Sequence, residues 1–182
     1  PGVILFNKIA LSDAFMFVGH VQLTQKSWQV RNSIRLQSRE LFLSVPVKKS
    51  GRFGQSINDT EIVDPSWKRK HLGSIQQAYG KRPYFATYFS PLEALLLQDW
   101  PLLGDMNMAL IRQFSEWLGL RTPFLDSRDY AIEGHKTEML ISMCRAAGAE
   151  HYLSNQGARD YVDEPLMADA GIRHLWQKFD HP

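Results

Sequence analysis

His135-Lys136-Thr137-Glu138-Met139-Leu140-Ile141-Ser142-Met143-Cys144-Arg145-Ala146-Ala147-Gly148 decides the fold class. Met139, Leu140, Met143 and Cys144 fall on one helix face, and Gly148 stands where a helix needs its C-terminal stop. His151-Tyr152-Leu153 then makes a short strand, Glu164-Pro165 opens a brief helix closed by Gly171, and Ile172 to Trp176 makes a last strand. Helices and strands alternating in this order predict crossover connections and a partly parallel sheet.

Upstream, residues 101 to 118 carry Leu103, Met106, Leu110, Ile111, Phe114, Trp117 and Leu118 at helical spacing, with Gly119 as the stop. Leu120 to Leu125 reads as a short extended segment. Ser90-Pro91 and Asp64-Pro65 both look like helix starts, a capping residue followed by proline in the first turn. The second leads Trp67, His71, Ile75 and Tyr79 along one face to Gly80. Val30 to Leu36 and Leu41 to Val47 are extended and predict a hairpin around the polar Gln37-Ser38-Arg39-Glu40. Lys48 to Asn58 is the least structured stretch, a loop suited to lie over a site. Ala14 to Val18 predicts a buried strand ending at Gly19-His20, and residues 3 to 11 are too short to assign. The expected class is α/β, a mixed sheet of Rossmann-like three-layer character with an added antiparallel hairpin. A single domain over 1–182 is expected, with no internal repeat and no linker.

A chain of 182 residues with 44% hydrophobic and 22% charged residues has an ordinary globular composition. The greasiest run, Leu92 to Leu97, is far below membrane-spanning length and is broken by Glu93. The lone Cys144 excludes an internal disulfide and a four-cysteine zinc site, which suits a reducing cytoplasm. The net charge of +2 conceals an asymmetry: residues 25–82 hold 12 Lys and Arg against 4 Asp and Glu, and residues 83–182 hold 8 against 14. The +8 half points to an anionic partner.

Three polar clusters follow predicted strands or open predicted helices. The first runs from His20 to Asn32: His20 and Lys26 are the candidate catalytic residues, His20 as acid or base and Lys26, with Arg31, as a holder of phosphate, while Gln22, Trp28, Arg31 and Asn32 can bind, the tryptophan by stacking and the arginine through its guanidinium. Lys48 in the basic loop and His71 beside Lys68-Arg69-Lys70 extend it. The second, Gly134-His135-Lys136-Thr137, opens a helix, with Lys136 and Thr137 as anion contacts, yet it lacks the glycine pattern of a triphosphate-binding loop. His135 and Glu138 have a spacing that metal sites use, but no second such pair accompanies them, so no metal site is expected. The third runs from Ser154 to Tyr161, where Ser154, Gly157 and Tyr161 suit close approach of a ligand. No Gly-x-Ser-x-Gly elbow and no dinucleotide fingerprint occur, and no motif names a cofactor.

In chain order these segments resemble the WbqC-like protein family. The resemblance is carried by Lys8-Ile9-Ala10, Ser12-Asp13, His20-Val21-Gln22, Lys26-Ser27-Trp28-Gln29, Arg31-Asn32 and Val45-Pro46-Val47. It continues through Trp67 to Leu72, Pro83-Tyr84-Phe85, Lys136-Thr137-Glu138, Gly148-Ala149, Tyr152-Leu153-Ser154, Gly157 and Arg159-Asp160-Tyr161. It departs at Gly19, where the family often has an acidic residue, and at Asn155, where it often has glycine. Family members usually begin with a strand and a His-Gln-Pro-x-Tyr-x-Pro turn, of which Pro1 would match the last residue, so the resemblance implies a missing first strand.

The resemblance implies a cytoplasmic enzyme of O-antigen and other surface polysaccharide synthesis acting on a nucleotide-linked sugar or related anion, with acyl or aminoacyl transfer among the reactions it allows. A nucleotide-binding or nucleotidyl-transfer domain is the first alternative. A noncatalytic nucleic-acid or protein-binding module is the last, because the basic residues are interleaved with Gln, Asn and Trp as in a pocket.

Overall fold

The computed structural model describes residues 2–24 and 27–180. Among the described residues the architecture is mixed α/β, six α-helices with short parallel and antiparallel strand pairs. The chain divides into two compact units: His20–Phe114 forms unit 1, and Gly2–Gly19 with the described residues from Ser115 onward forms unit 2.

Unit 1 contains β2 (Arg31–Leu36), β3 (Arg39–Ser44), α2 (Trp67–Tyr79), α3 (Phe85–Leu97) and most of α4 (Leu103–Trp117). The hairpin forms as predicted, with a tighter turn: Leu36 pairs with Arg39, so only Gln37 and Ser38 lie between the strands. Gln37 takes φ of 57°, the left-handed geometry that two-residue hairpin turns demand at a central position. The core gathers Val30, Val47, Trp67, Leu72, Leu96, Leu103 and Met106. Complete burial of a side chain such as Leu103 is worth about 1.5–3 kcal/mol.

The expected helix start at Ser90-Pro91 is corrected: α3 begins at Phe85 and holds Pro91 inside it. An interior proline removes a hydrogen bond and costs about 3 kcal/mol or more. Packing opposes that cost, because Phe85 stacks on Phe89 at 4.6 Å while Phe89 and Leu92 lie against the core.

Unit 2 contains α1 (Val3–Ala10), β1 (Phe15–Phe17), β4 (Phe124–Asp126), α5 (Thr137–Ala147), β5 (His151–Ser154), α6 (Glu164–Asp169) and β6 (Arg173–Trp176). The unassigned N-terminal stretch is therefore a helix, with Phe6 and Ile9 buried. Thr122 Oγ1 donates to Ile9 O and Gln177 Nε2 donates to Asn7 Oδ1, which tie α1 into unit 2. β1 pairs with β4 and β5 pairs with β6, both in parallel, the second as the C-terminal helix–strand alternation predicts. α5 starts two residues later than its apolar spacing suggests and ends at Gly148, whose φ of 63° lets Ala149 N reach back to Cys144 O. Asp163 Oδ1 caps α6 by accepting from Leu166 N, with Pro165 in the first turn. Leu140, Ile141, Met143, Cys144, Met167 and Ile172 form the core.

Candidate functional site

In unit 1 the segment after β1 does not wave free. Gln22 bridges Ser56, Leu23 N donates to Gln55 O, and Ile57 N donates to Val21 O. The loop 48–58, expected to be the least structured part, is thus stitched beside His20 and Gln22, both of which are exposed. Lys26 lies outside the described residues. Lys48 Nζ and Arg52 Nη2 share the Glu61 carboxylate at 2.9 and 2.7 Å, and the hydrogen bond from Lys48 holds that carboxyl below its ordinary range. One acidic side chain therefore offsets part of the loop's positive charge.

Arg31 opens β2, and its guanidinium lies 4.9 Å from the ring centroid of Phe42, diagonally across the hairpin. Trp28 sits 6.4 Å from the same ring and is 66% exposed. Arg31 Nε is buried and has no hydrogen-bond partner among the described residues. Asn32 Oδ1 accepts from Ser33 N within the strand. His71 is half-buried, with Nε2 donating to Ser44 O and its ring edge-on to Trp67 at 4.8 Å; burial lowers its pKa, favouring the neutral imidazole. Lys68, read as part of an anion contact, instead donates to Gln98 O at the C-terminal end of α3, where a cation meets the negative end of the helix dipole. Arg69 and Lys70 are exposed.

In unit 2 the predicted contacts divide by burial. Lys136 is exposed and holds φ 49°, ψ −123°, a conformation that L-residues adopt only under strain. Thr137 is buried. Its hydroxyl donates to Tyr161 O and accepts from Asp163 N, both at 2.9 Å, so both hydrogen-bonding functions are in use. Gly157 and the Tyr161 side chain are exposed. Cys144 faces the core, and burial pushes its thiol up to about 11.

Ser154 has a partner that no local pattern announces. Its Oγ lies 2.7 Å from His174 Nε2 on the neighbouring strand. His174 Nδ1 faces Glu164 Oε1 at 3.7 Å, and that carboxylate also accepts from Trp176 Nε1 at 2.8 Å. The parallel register sets Tyr152 opposite His174 and Ser154 opposite Trp176, so these side chains share one sheet face. His174 and Glu164 were absent from the sequence-derived candidates; the visible signal was their place in the predicted last strand and at a predicted helix start. Among the described residues no group of three or more His, Cys, Asp or Glu side chains is arranged to hold a metal ion, and no helix is long and apolar enough to cross a membrane.

The sequence model of the WbqC-like protein family matches residues 1–182. The chain is 32% identical over 176 residues to the uncharacterized protein Rv1507c of Mycobacterium tuberculosis, covering 96% of this chain and 76% of that one. No solved structure matches.

Proposed function

The chain belongs to the WbqC-like protein family, and from that premise we propose that it is a cytoplasmic enzyme of surface polysaccharide synthesis acting on a nucleotide-linked sugar. The observation that supports this reading is the Trp28–Phe42–Arg31 cluster of unit 1: an exposed indole beside a guanidinium that has an unused, buried Nε. An aromatic face stacks on a nucleobase or a sugar ring, worth about 1–3 kcal/mol per base. A planar guanidinium is suited to phosphate oxygens. The positive balance of residues 25–82 supports the same class of ligand. Acyl or aminoacyl transfer to the sugar is the reaction class this reading favours.

Calorimetry against nucleoside diphosphates and their sugar conjugates tests it. The sugar conjugates should bind more tightly than the free nucleotides, and Trp28→Ala should weaken them by roughly 10- to 100-fold. Equal binding of free nucleotides would instead indicate a nucleotide-binding domain. Affinity for DNA or RNA that falls steeply with salt would indicate a nucleic-acid module.

A further inference from the structure

Within unit 2, Ser154, His174 and Glu164 meet the requirements of an activated nucleophile. Ser154 ends β5, at the carboxyl edge of a parallel strand pair, where α/β folds gather their chemistry. A neutral imidazole carries one N–H. With the Glu164 carboxylate facing Nδ1, the proton belongs on Nδ1, which leaves the Nε2 lone pair to accept the Ser154 hydroxyl at 2.7 Å. Nucleophile against base, and base oriented by a third group, is the signature of covalent catalysis. His174 Nδ1 is buried and has no hydrogen-bond partner among the described residues, although a carboxylate oxygen stands at 3.7 Å. A pair kept only for stability has little reason to leave that donor unsatisfied, at a cost of about 1–3 kcal/mol. An imidazolium formed during a reaction would draw the carboxylate in and close the gap, since such contacts are often long before substrate binds.

We infer that Ser154, His174 and Glu164 form an acyl-transfer centre that accepts its acyl group from a thioester or activated ester. Ser154 Oγ bonds to the acyl carbonyl carbon while its proton passes to His174 Nε2. The bond from that carbon to the leaving thiol or alcohol breaks, and the leaving group takes the proton from Nε2. An acceptor hydroxyl or amine then gives its proton to Nε2, attacks the acyl-serine carbon and releases Ser154 Oγ, which recovers the proton. His174 is the general base and acid. Glu164 is a positioning residue that fixes the imidazole tautomer.

Ser154 is only 2% exposed, so the acyl donor must gain access. The turn at Gln156–Ala158 follows directly after Asn155, with Gln156 and Gly157 exposed and Ala158 buried. Gln156 Nε2 donates to Gln177 O, Arg159 Nε donates to Gln156 Oε1, and the Arg159 guanidinium lies 5.0 Å from the Trp176 ring. Ala158 in this turn is 1% exposed, so opening the turn is the movement the acyl donor requires, and the exposed Arg159 contacts are its weakest restraints. An open cavity of about 530 Å³ is lined by Glu164, Gly171, Arg173 and His174, on the His174 side of the pair.

The inference rests on unit 2 alone, so failure of sugar-nucleotide binding at Trp28 would leave it standing. The probe is p-nitrophenyl acetate with the full chain, read by nitrophenolate release and by peptide mass spectrometry of the acetylated protein. The expected result is acetylation mapped to Ser154, abolished in Ser154→Ala and slowed about 100-fold or more in His174→Gln. Glu164→Gln should lower the maximal acylation rate without changing the half-saturating ester concentration, and Glu164→Asp should restore part of it. Arg159→Ala, an exposed change, should accelerate labelling. Thermal melts establish that each variant is folded. An unlabelled Ser154 in both wild type and Arg159→Ala, or wild-type labelling in folded His174→Gln, would overturn the proposal.

Discussion

In unit 1 the polar side chains that meet one another do so in water: Lys48, Arg52 and Glu61 form their shared ion pair with every partner more than 40% exposed. Unit 2 has exposed meetings of this kind as well, such as Arg128 with Asp126, but it adds buried ones at Thr137, at Ser154 with His174, and at Gln177 with Asn7. Solvent screens the first kind and competes for each hydrogen bond, so its worth is small. Away from water the same bond becomes an obligation, because a group deprived of its partner keeps the full cost of desolvation. Density of exposed polar residues marks unit 1 as the unit whose charged groups meet in solvent. Polar residues buried among apolar ones mark where unit 2 commits its geometry.

The strongest way to break this contrast is Thr137→Val, which keeps the shape and removes the hydroxyl. Tyr161 O and Asp163 N then lose one partner each, and Asp163 is the residue that caps α6. The expected loss is about 1–3 kcal/mol, read from the denaturant midpoint at unchanged slope. A loss within error would show that burial in unit 2 does not amplify its hydrogen bonds.

One residue away the sign should reverse. Lys136 carries its strained backbone on an exposed side chain whose replacement leaves the core intact. Lys136→Gly should relieve that strain, partly offset by the greater freedom of glycine in the unfolded chain, for a net gain of about 1 kcal/mol. Destabilisation in the same denaturation experiment would mean that the lysine side chain contributes more than its backbone costs. The two variants together separate what the start of α5 owes to its buried hydroxyl from what it loses to its backbone.

Legibility in the sequence followed the same division. The order α5, β5, α6, β6 could be read because apolar spacing and punctuation agree there: Gly148, Pro165 and Gly171 each stand where the chain must stop or start. The start of α3 is not legible locally because the capping logic of Ser90-Pro91 competes with packing of Phe85 and Phe89, which no local rule weighs. α1 is not legible locally because its eight residues span barely two turns. Among candidate residues, Trp28 and Arg31 were visible through residue type alone, while their meeting at Phe42 needed the hairpin register. Ser154 was visible only as part of a polar loop. Its partner His174 is twenty residues away, and a parallel register that brings Tyr152 opposite His174 is set by the α6 crossover rather than by nearby residues.

The smallest expected effect belongs to Glu61→Gln, and it sharpens the unit 1 side of the comparison. The hydrogen bond from Lys48, reinforced by the charges of Lys48 and Arg52, depresses the Glu61 pKa in the folded chain below its ordinary value of 4.5. A carboxyl with a depressed folded pKa contributes stability above its unfolded pKa and loses it as pH falls through the folded value. The gap between wild type and Glu61→Gln should therefore be present at about pH 7 and shrink toward nothing as the carboxylate is protonated, below about pH 4. Because all three side chains are well exposed, added salt at neutral pH should erase most of the same gap. Denaturant midpoints of both proteins across those conditions read it directly. A gap that survived both acid and salt would mean that loop 48–58 shelters this ion pair from solvent, and unit 1 would then hold its charges as unit 2 holds its hydroxyls.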